Sequence, residues 1–142
     1  MPGAERLLAC FEAQLQRRHL DLAIRWLQGQ GEAFYTIGSA GHESNAAVAM
    51  ALRPTDPALL HYRSGGFYCA RAGLAPGTTP VRDVLQGLMC LADEPIAGGR
   101  HKVFGHAALS VVPETSTIAS HLPRAVGLAI ALHRAHRLGG AA

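Results

Sequence analysis

The stretch Leu109-Ser110-Val111-Val112-Pro113-Glu114-Thr115-Ser116-Thr117-Ile118-Ala119-Ser120-His121-Leu122-Pro123-Arg124-Ala125-Val126-Gly127 decides the fold class. Leu109 to Val112 reads as a short strand, ended by Pro113. A polar loop follows. Pro123 then stands near the first turn of a helix, where proline is tolerated, and that helix runs from Ala125 to about Arg137. Ser120, just ahead of it, suits a cap for the helix's free N–H groups. An apolar helix face such as Val126 to Leu132 needs a partner layer to pack on. A strand feeding a helix through a polar loop indicates helix-rich α/β architecture with few, short strands.

The rest of the chain agrees. Leu7, Leu8, Phe11, Leu15, Leu22 and Trp26 recur at helical spacing with Glu12, Arg17, Arg18 and Asp21 between them, predicting a long amphipathic helix ended by Gly29 and Gly31. Ala33-Phe34-Tyr35 is expected to be extended, and Gly38 to Gly41 a turn. An Ala-rich helix is expected from about His42 to Leu52, with Ala46, Ala47, Ala49 and Ala51 packing closely on a neighbour. Leu59 to Tyr62 reads as a second short strand, Phe67 to Ala72 as a helix, and Val81, Val84, Leu85, Leu88 and Leu91 as one face of another. The expected organisation is a single domain over 1–142: an N-terminal helix (1–31), a helical part with one short strand (32–94), and a loop with its following helix (95–142).

Composition narrows the function classes. The 142 residues are 49% apolar and 16% charged, which favours a core-forming chain over disorder. Lys and Arg exceed Asp and Glu by 13 to 10 without forming a basic block, so neither nucleic acid nor a membrane surface is indicated as a partner. Cys10, Cys69 and Cys90 form no C-x-x-C pair and read as reduced thiols. Met1 to Ala4 leads straight into a charged helix, with no signal-peptide pattern, and no apolar run is long enough to span a bilayer. The expectation is a soluble, cytoplasmic protein. No G-x-x-x-x-G-K-[ST] or G-x-G-x-x-G follows a strand, which disfavours an unrelated nucleotide-binding protein.

Three stretches resemble the α subunits, or α halves, of thiamine-diphosphate-dependent 2-oxo acid dehydrogenases. One is Tyr35 to Ser44 with Ala51-Leu52-Arg53-Pro54-Thr55-Asp56, where the family has a glycine turn, a helix start and A-L-x-P-x-D. Another is His61-Tyr62-Arg63, similar to the family's Y-R after a strand. The third is Gly98-Gly99-Arg100 followed by Thr115 to Gly127, similar to S-S-P-L-A-T-Q-I-P-Q-A-V-G of the branched-chain type. They occur in the family's order and spacing over roughly residues 5 to 137.

The resemblance implies part of a thiamine-diphosphate-binding (phosphate-binding) domain. Its activity would be oxidative decarboxylation of a 2-oxo acid of the branched-chain or pyruvate type, with acyl transfer to lipoyl. The implied partners are a β subunit or β half and a lipoyl-bearing acyltransferase, in a homo- or hetero-oligomer. Tyr62 and Arg63 match diphosphate ligands, and an arginine fork suits two phosphate oxygens. They lie beside Gly65-Gly66 at a helix start, where free N–H groups favour anions. Ser116 matches a cofactor contact, and Ile118 the residue that wedges under the cofactor. Thr115, Thr117, Ser120 and His121 correspond to a potassium-binding loop, although Thr117 replaces a Pro and His121 a Gln.

Other features depart from the family. Val103-Phe104-Gly105 stands where the family has a His before a Gly; His101 and His106 flank it as the candidates for a polar catalytic group. Glu43 reads as a structural or interface charge. The family's G-D-G…N segment, which holds magnesium, has no counterpart in these residues. The chain is therefore expected to be the N-terminal part of an α subunit, inactive by itself. The rival expectation is a non-catalytic interaction module that binds no cofactor.

Overall fold

The computed structural model describes residues 3–34, 37–94, 96–100 and 104–139. Helix α1 (Gly3–Gly29) opens the chain, and Gly31 follows it in the left-handed region at φ 79°. The helix turns a different face inward from the one its large apolar residues predict. Leu7, Leu8, Phe11, Leu15, Leu22 and Trp26 are all exposed, Leu7 by 74% and Trp26 by 65%. Ala13, Arg17, Leu20, Asp21 and Ile24 are buried instead, a stripe that also keeps the 3.6-residue period. Two charged residues can lie inside because they meet one turn apart. Arg17 Nη2 and Asp21 Oδ1 are 2.6 Å apart with side chains 2% and 1% exposed, an ion contact without hydrogen-bond alignment.

Helix α2 (Asn45–Ala51) and helix α3 (Gly65–Gly73) pack against α1 and against each other. Small residues permit the close approach. Ala46 and Ala49 are fully buried, whereas Ala47 and Ala51 face outward, so only half of the expected alanine set packs. At Gly66 an added Cβ would lie 2.7 Å from the Glu43 carbonyl oxygen, too near for any side chain. Helix α4 (Pro80–Leu88) begins with its proline at the first turn and buries Val84. Tyr68 Oη donates to Asp83 Oδ2 at 2.9 Å, fastening α3 to α4. Cys10, Cys69 and Cys90 are free thiols; burial of Cys69 raises its pKa to about 11.

Strand β1 (Ala58–Leu59) pairs in parallel with β2 (Val111–Val112), Ala58 opposite Val111 and Leu59 opposite Val112. Parallel strands need a crossover, and α3 and α4 lie in it. Both strands are shorter than expected. After Leu60 the chain turns, with Ser64 N donating to the His61 carbonyl at 2.8 Å, and α3 starts at once. Ahead of β2, Ala107–Leu109 forms one turn of 3-10 helix, and Ser110 is left-handed at φ 52°. Ala33 and Phe34 belong to no strand, and Tyr35 lies outside the described residues.

Arg71, fully buried, ties the entry side of the sheet together. Its Nη1 donates to the carbonyls of Pro54 (2.8 Å), Asp56 (3.0 Å) and Leu109 (3.2 Å). Helix α5 (His121–Arg137) starts four residues before the expected Ala125 and buries no residue, although it contacts β1. The chain is thus helix-rich, with five α-helices and one two-stranded parallel sheet among the described residues. No helix among them is long and apolar enough to cross a membrane.

Candidate functional site

Each parallel strand leaves the sheet at its carboxyl end into a loop that carries sequence-predicted site residues. The crevice beyond such ends is the usual ligand position in open parallel α/β sheets. The exit of β1 supplies His61, Tyr62 and Arg63; the exit of β2 supplies residues 113–120 and then the start of α5. The first loop meets the start of α5 through two imidazoles: His61 and His121 lie edge to face with ring centroids 6.1 Å apart.

Arg63 is held on three sides. Its Nη1 donates to the Gly38 carbonyl, its guanidinium lies 5.3 Å from the Tyr62 ring centroid, and its backbone N–H donates to His61 Nδ1 at 3.3 Å. The Gly38 turn is itself anchored from α1. Arg17 Nε donates to Ser39 Oγ at 2.6 Å and Arg17 Nη2 to the Ile37 carbonyl at 3.3 Å. Ser39 N donates to Asp21 Oδ2 at 2.6 Å. The buried ion pair therefore positions the wall against which Arg63 rests. None of these partners of Arg63 is a carboxylate, so its charge is free to meet an anion.

The two glycines at the start of α3 are buried and closely packed. Gly65 lies under the Arg17 side chain, where an added Cβ would stand 2.3 Å from Cδ, and Gly66 lies under the Glu43 backbone. These glycines serve close packing.

The loop after β2 has its own internal order. Glu114, buried to 4% exposure, pairs with Arg124 and also accepts from Ser120 Oγ at 3.4 Å. Thr115 Oγ1 and Ser120 Oγ are 3.1 Å apart, and the Thr117 carbonyl accepts from Ser120 N at 3.2 Å. Of the four residues matched to a potassium loop, Thr115 and Ser120 thus join hydroxyls and Thr117 adds a carbonyl, while His121 turns to His61. Ser120 makes no side-chain cap on α5, because its hydroxyl is engaged by Thr115 and Glu114. Ser116 is half-buried and Ile118 is 72% exposed. Ala119, next to Ile118, is left-handed at φ 65°. For a residue with a Cβ that costs on the order of 1 kcal/mol, a kind of strain that concentrates at binding loops.

His106 pairs through its backbone with Val111 on the entry side of β2, so it is not gathered with Tyr62 and Arg63. His101 lies outside the described residues. No group of three His, Cys, Asp or Glu side chains that could hold a metal ion occurs among the described residues.

Three contributors escape a reading of the sequence. His61 is brought to His121 from sixty residues away, His42 comes near enough to act on His61, and Glu114 meets Arg124 ten residues on, at no helical or strand period. Only the neighbourhood of His61 to Tyr62-Arg63 was a local signal. His61 is partly desolvated and faces the charges of His121, His42 and Arg63, all of which depress its pKa below the usual 6.5. No known protein-family model matches the chain.

Proposed function

We propose that this chain supplies the diphosphate side of a thiamine diphosphate site in a 2-oxo acid dehydrogenase, as an α-subunit component working with a β partner. The observation that carries the reading is the contact of His61, beside Tyr62 and Arg63 at the carboxyl end of β1, with His121 at the start of α5, just after the 113–120 loop that leaves β2. Residues from the two resembling stretches are thereby neighbours in space. The donor set suits the group: an arginine fork and a tyrosine hydroxyl meet phosphate oxygens without a competing carboxylate on Arg63.

In this reading Arg63 and Tyr62 bind and orient the diphosphate. The exposed Ile118, on its strained loop, offers an apolar contact to the body of the cofactor. Bound there, the cofactor would supply the carbanion chemistry of 2-oxo acid decarboxylation. Thr115, Thr117 and Ser120 give an oxygen-rich loop suited to potassium. Magnesium ligands, the lipoyl-bearing acyltransferase and the choice among 2-oxo acids belong to the rest of that assembly.

The test is calorimetric titration of the purified chain with thiamine diphosphate, with and without Mg²⁺. We expect a dissociation constant on the order of 1 mM or tighter. Arg63→Ala should weaken binding by about 1.5–3 kcal/mol, the range for a hydrogen bond to a charged group. Unchanged affinity in that variant would remove Arg63 from the site. The rival reading, a cofactor-free interaction module, draws support from the exposed apolar residues of α1 and α5; complete absence of heat, together with association of the chain, would favour it.

A further inference from the structure

We propose that Arg25 of α1 is a second guanidinium of this same site and reads the outer phosphate of its ligand, so that the site selects a diphosphate over a monophosphate. The inference rests on the diphosphate reading above and adds a residue that lies outside the three resembling stretches. The turn at Gly38 brings the two arginines together. Arg63 Nη1 donates to the Gly38 carbonyl, and Arg25 Nη2 lies 3.3 Å from the point where a Cβ on Gly38 would stand. The two guanidiniums thus reach one residue from two elements, α1 and the exit of β1. A side chain at position 38 would crowd that approach, and glycine leaves it open.

Arg25 is exposed, and among the described residues no hydrogen bond or ion pair holds its head. Asp21 comes close, its Oδ2 standing 3.7 Å from the same point beside Gly38. That carboxylate is already engaged by Arg17 and by the Ser39 N–H. A single guanidinium fork matches two oxygens of one phosphate. The second phosphate of a diphosphate brings further oxygens and further charge, which the Arg63 fork does not meet. Arg25, on a long stem and with its charge unpaired, supplies donors for them. A monophosphate is held through Arg63 and Tyr62 and gains little from Arg25.

The experiment is calorimetric titration with thiamine diphosphate and thiamine monophosphate, at one pH and ionic strength, of the wild type, Arg25→Gln, Arg63→Ala and Arg137→Gln. Arg137 ends α5, about 24 Å along that helix from His121, so its loss controls for net charge. The wild type should bind the diphosphate ester more tightly than the monophosphate. Arg25→Gln should cut that preference about tenfold, the effect of one hydrogen bond to a charged group, while monophosphate affinity changes by less than about twofold. Arg137→Gln should keep the wild-type preference, and Arg63→Ala should weaken both esters. A preference unchanged in Arg25→Gln, or reduced as far in Arg137→Gln, overturns the inference; Arg63→Ala weakening both esters then leaves the diphosphate site intact. Equal weakening of both esters in Arg25→Gln overturns it as well. If the wild type binds neither ester, the diphosphate reading is refuted and the inference with it. Inorganic pyrophosphate titrated in parallel separates the two sources of a diphosphate: tighter binding of the thiamine ester identifies the cofactor, and equal binding a free diphosphate. A second measurement is independent of variant folding. In the wild-type chain the Arg25 Nε–H resonance should shift with pyrophosphate and stay in place with orthophosphate, and an equal response to the two, or none, contradicts the proposal.

Discussion

Arg63 can point its charge at a ligand because other residues spend theirs inward. Arg17 and Asp21, both buried, satisfy Ser39 and the Ile37 carbonyl, and the turn so fixed offers the Gly38 carbonyl to Arg63. Burial lowers the pKa of Arg17 while Asp21 opposes the shift. Removing one member of a buried pair leaves the other uncompensated. Asp21→Ala should therefore destabilise the fold by about 3–5 kcal/mol in urea titration. A loss under about 1 kcal/mol, the size of an exposed pair, would show that the pair is solvated and does not anchor the turn. The sequence marked Arg17 and Asp21 only as polar residues between apolar ones. Their burial was illegible because it depends on Ser39, eighteen residues beyond Asp21. Tyr62 and Arg63, by contrast, were legible as a unit, since they adjoin each other at a strand's end.

At the scale of elements, helices were recovered almost everywhere and strands were overestimated. The expected strand through His61 and Tyr62 is a turn, because Gly65-Gly66 lets α3 approach α2 and start directly after Ser64. Local propensity could not register that requirement, which arises from the Glu43 backbone across the interface. Gly66→Ala checks it. The added methyl meets a backbone oxygen at 2.7 Å, so we expect a loss of about 1–3 kcal/mol, typical of overpacking, read as a fall in denaturation midpoint. An unchanged midpoint would mean that α2 and α3 are not so closely apposed. The choice of inward face on α1 was likewise misread from size alone. Ala13, Leu20 and Ile24 supply its buried apolar side, and the larger Phe11 and Trp26 face out.

For the whole molecule, the apolar residues left outside matter most. Leu7, Leu8, Phe11, Leu15, Leu22 and Trp26 on α1 and Leu122, Val126 and Ile130 on α5 are exposed, and contiguous apolar surface of this kind drives association. The 15.0 kDa chain should sediment above its monomer mass in a concentration-dependent way, and Phe11→Glu with Val126→Glu should restore the monomer. Monomeric sedimentation of the unaltered chain at high concentration would contradict that expectation. The sequence announced these faces through their periodicity; which side they would take was set by the competition of the Arg17–Asp21 stripe for the interior.

The central claim is that two loops far apart in sequence form one anion site beyond the ends of β1 and β2. The most direct measurement is amide chemical-shift mapping of the labelled chain during titration with thiamine diphosphate. The account predicts that perturbed amides concentrate in both segments, 61–64 and 114–121, and that Arg63→Ala abolishes the perturbation in both together. Shifts confined to one loop, or gathered elsewhere on the molecule, would contradict it.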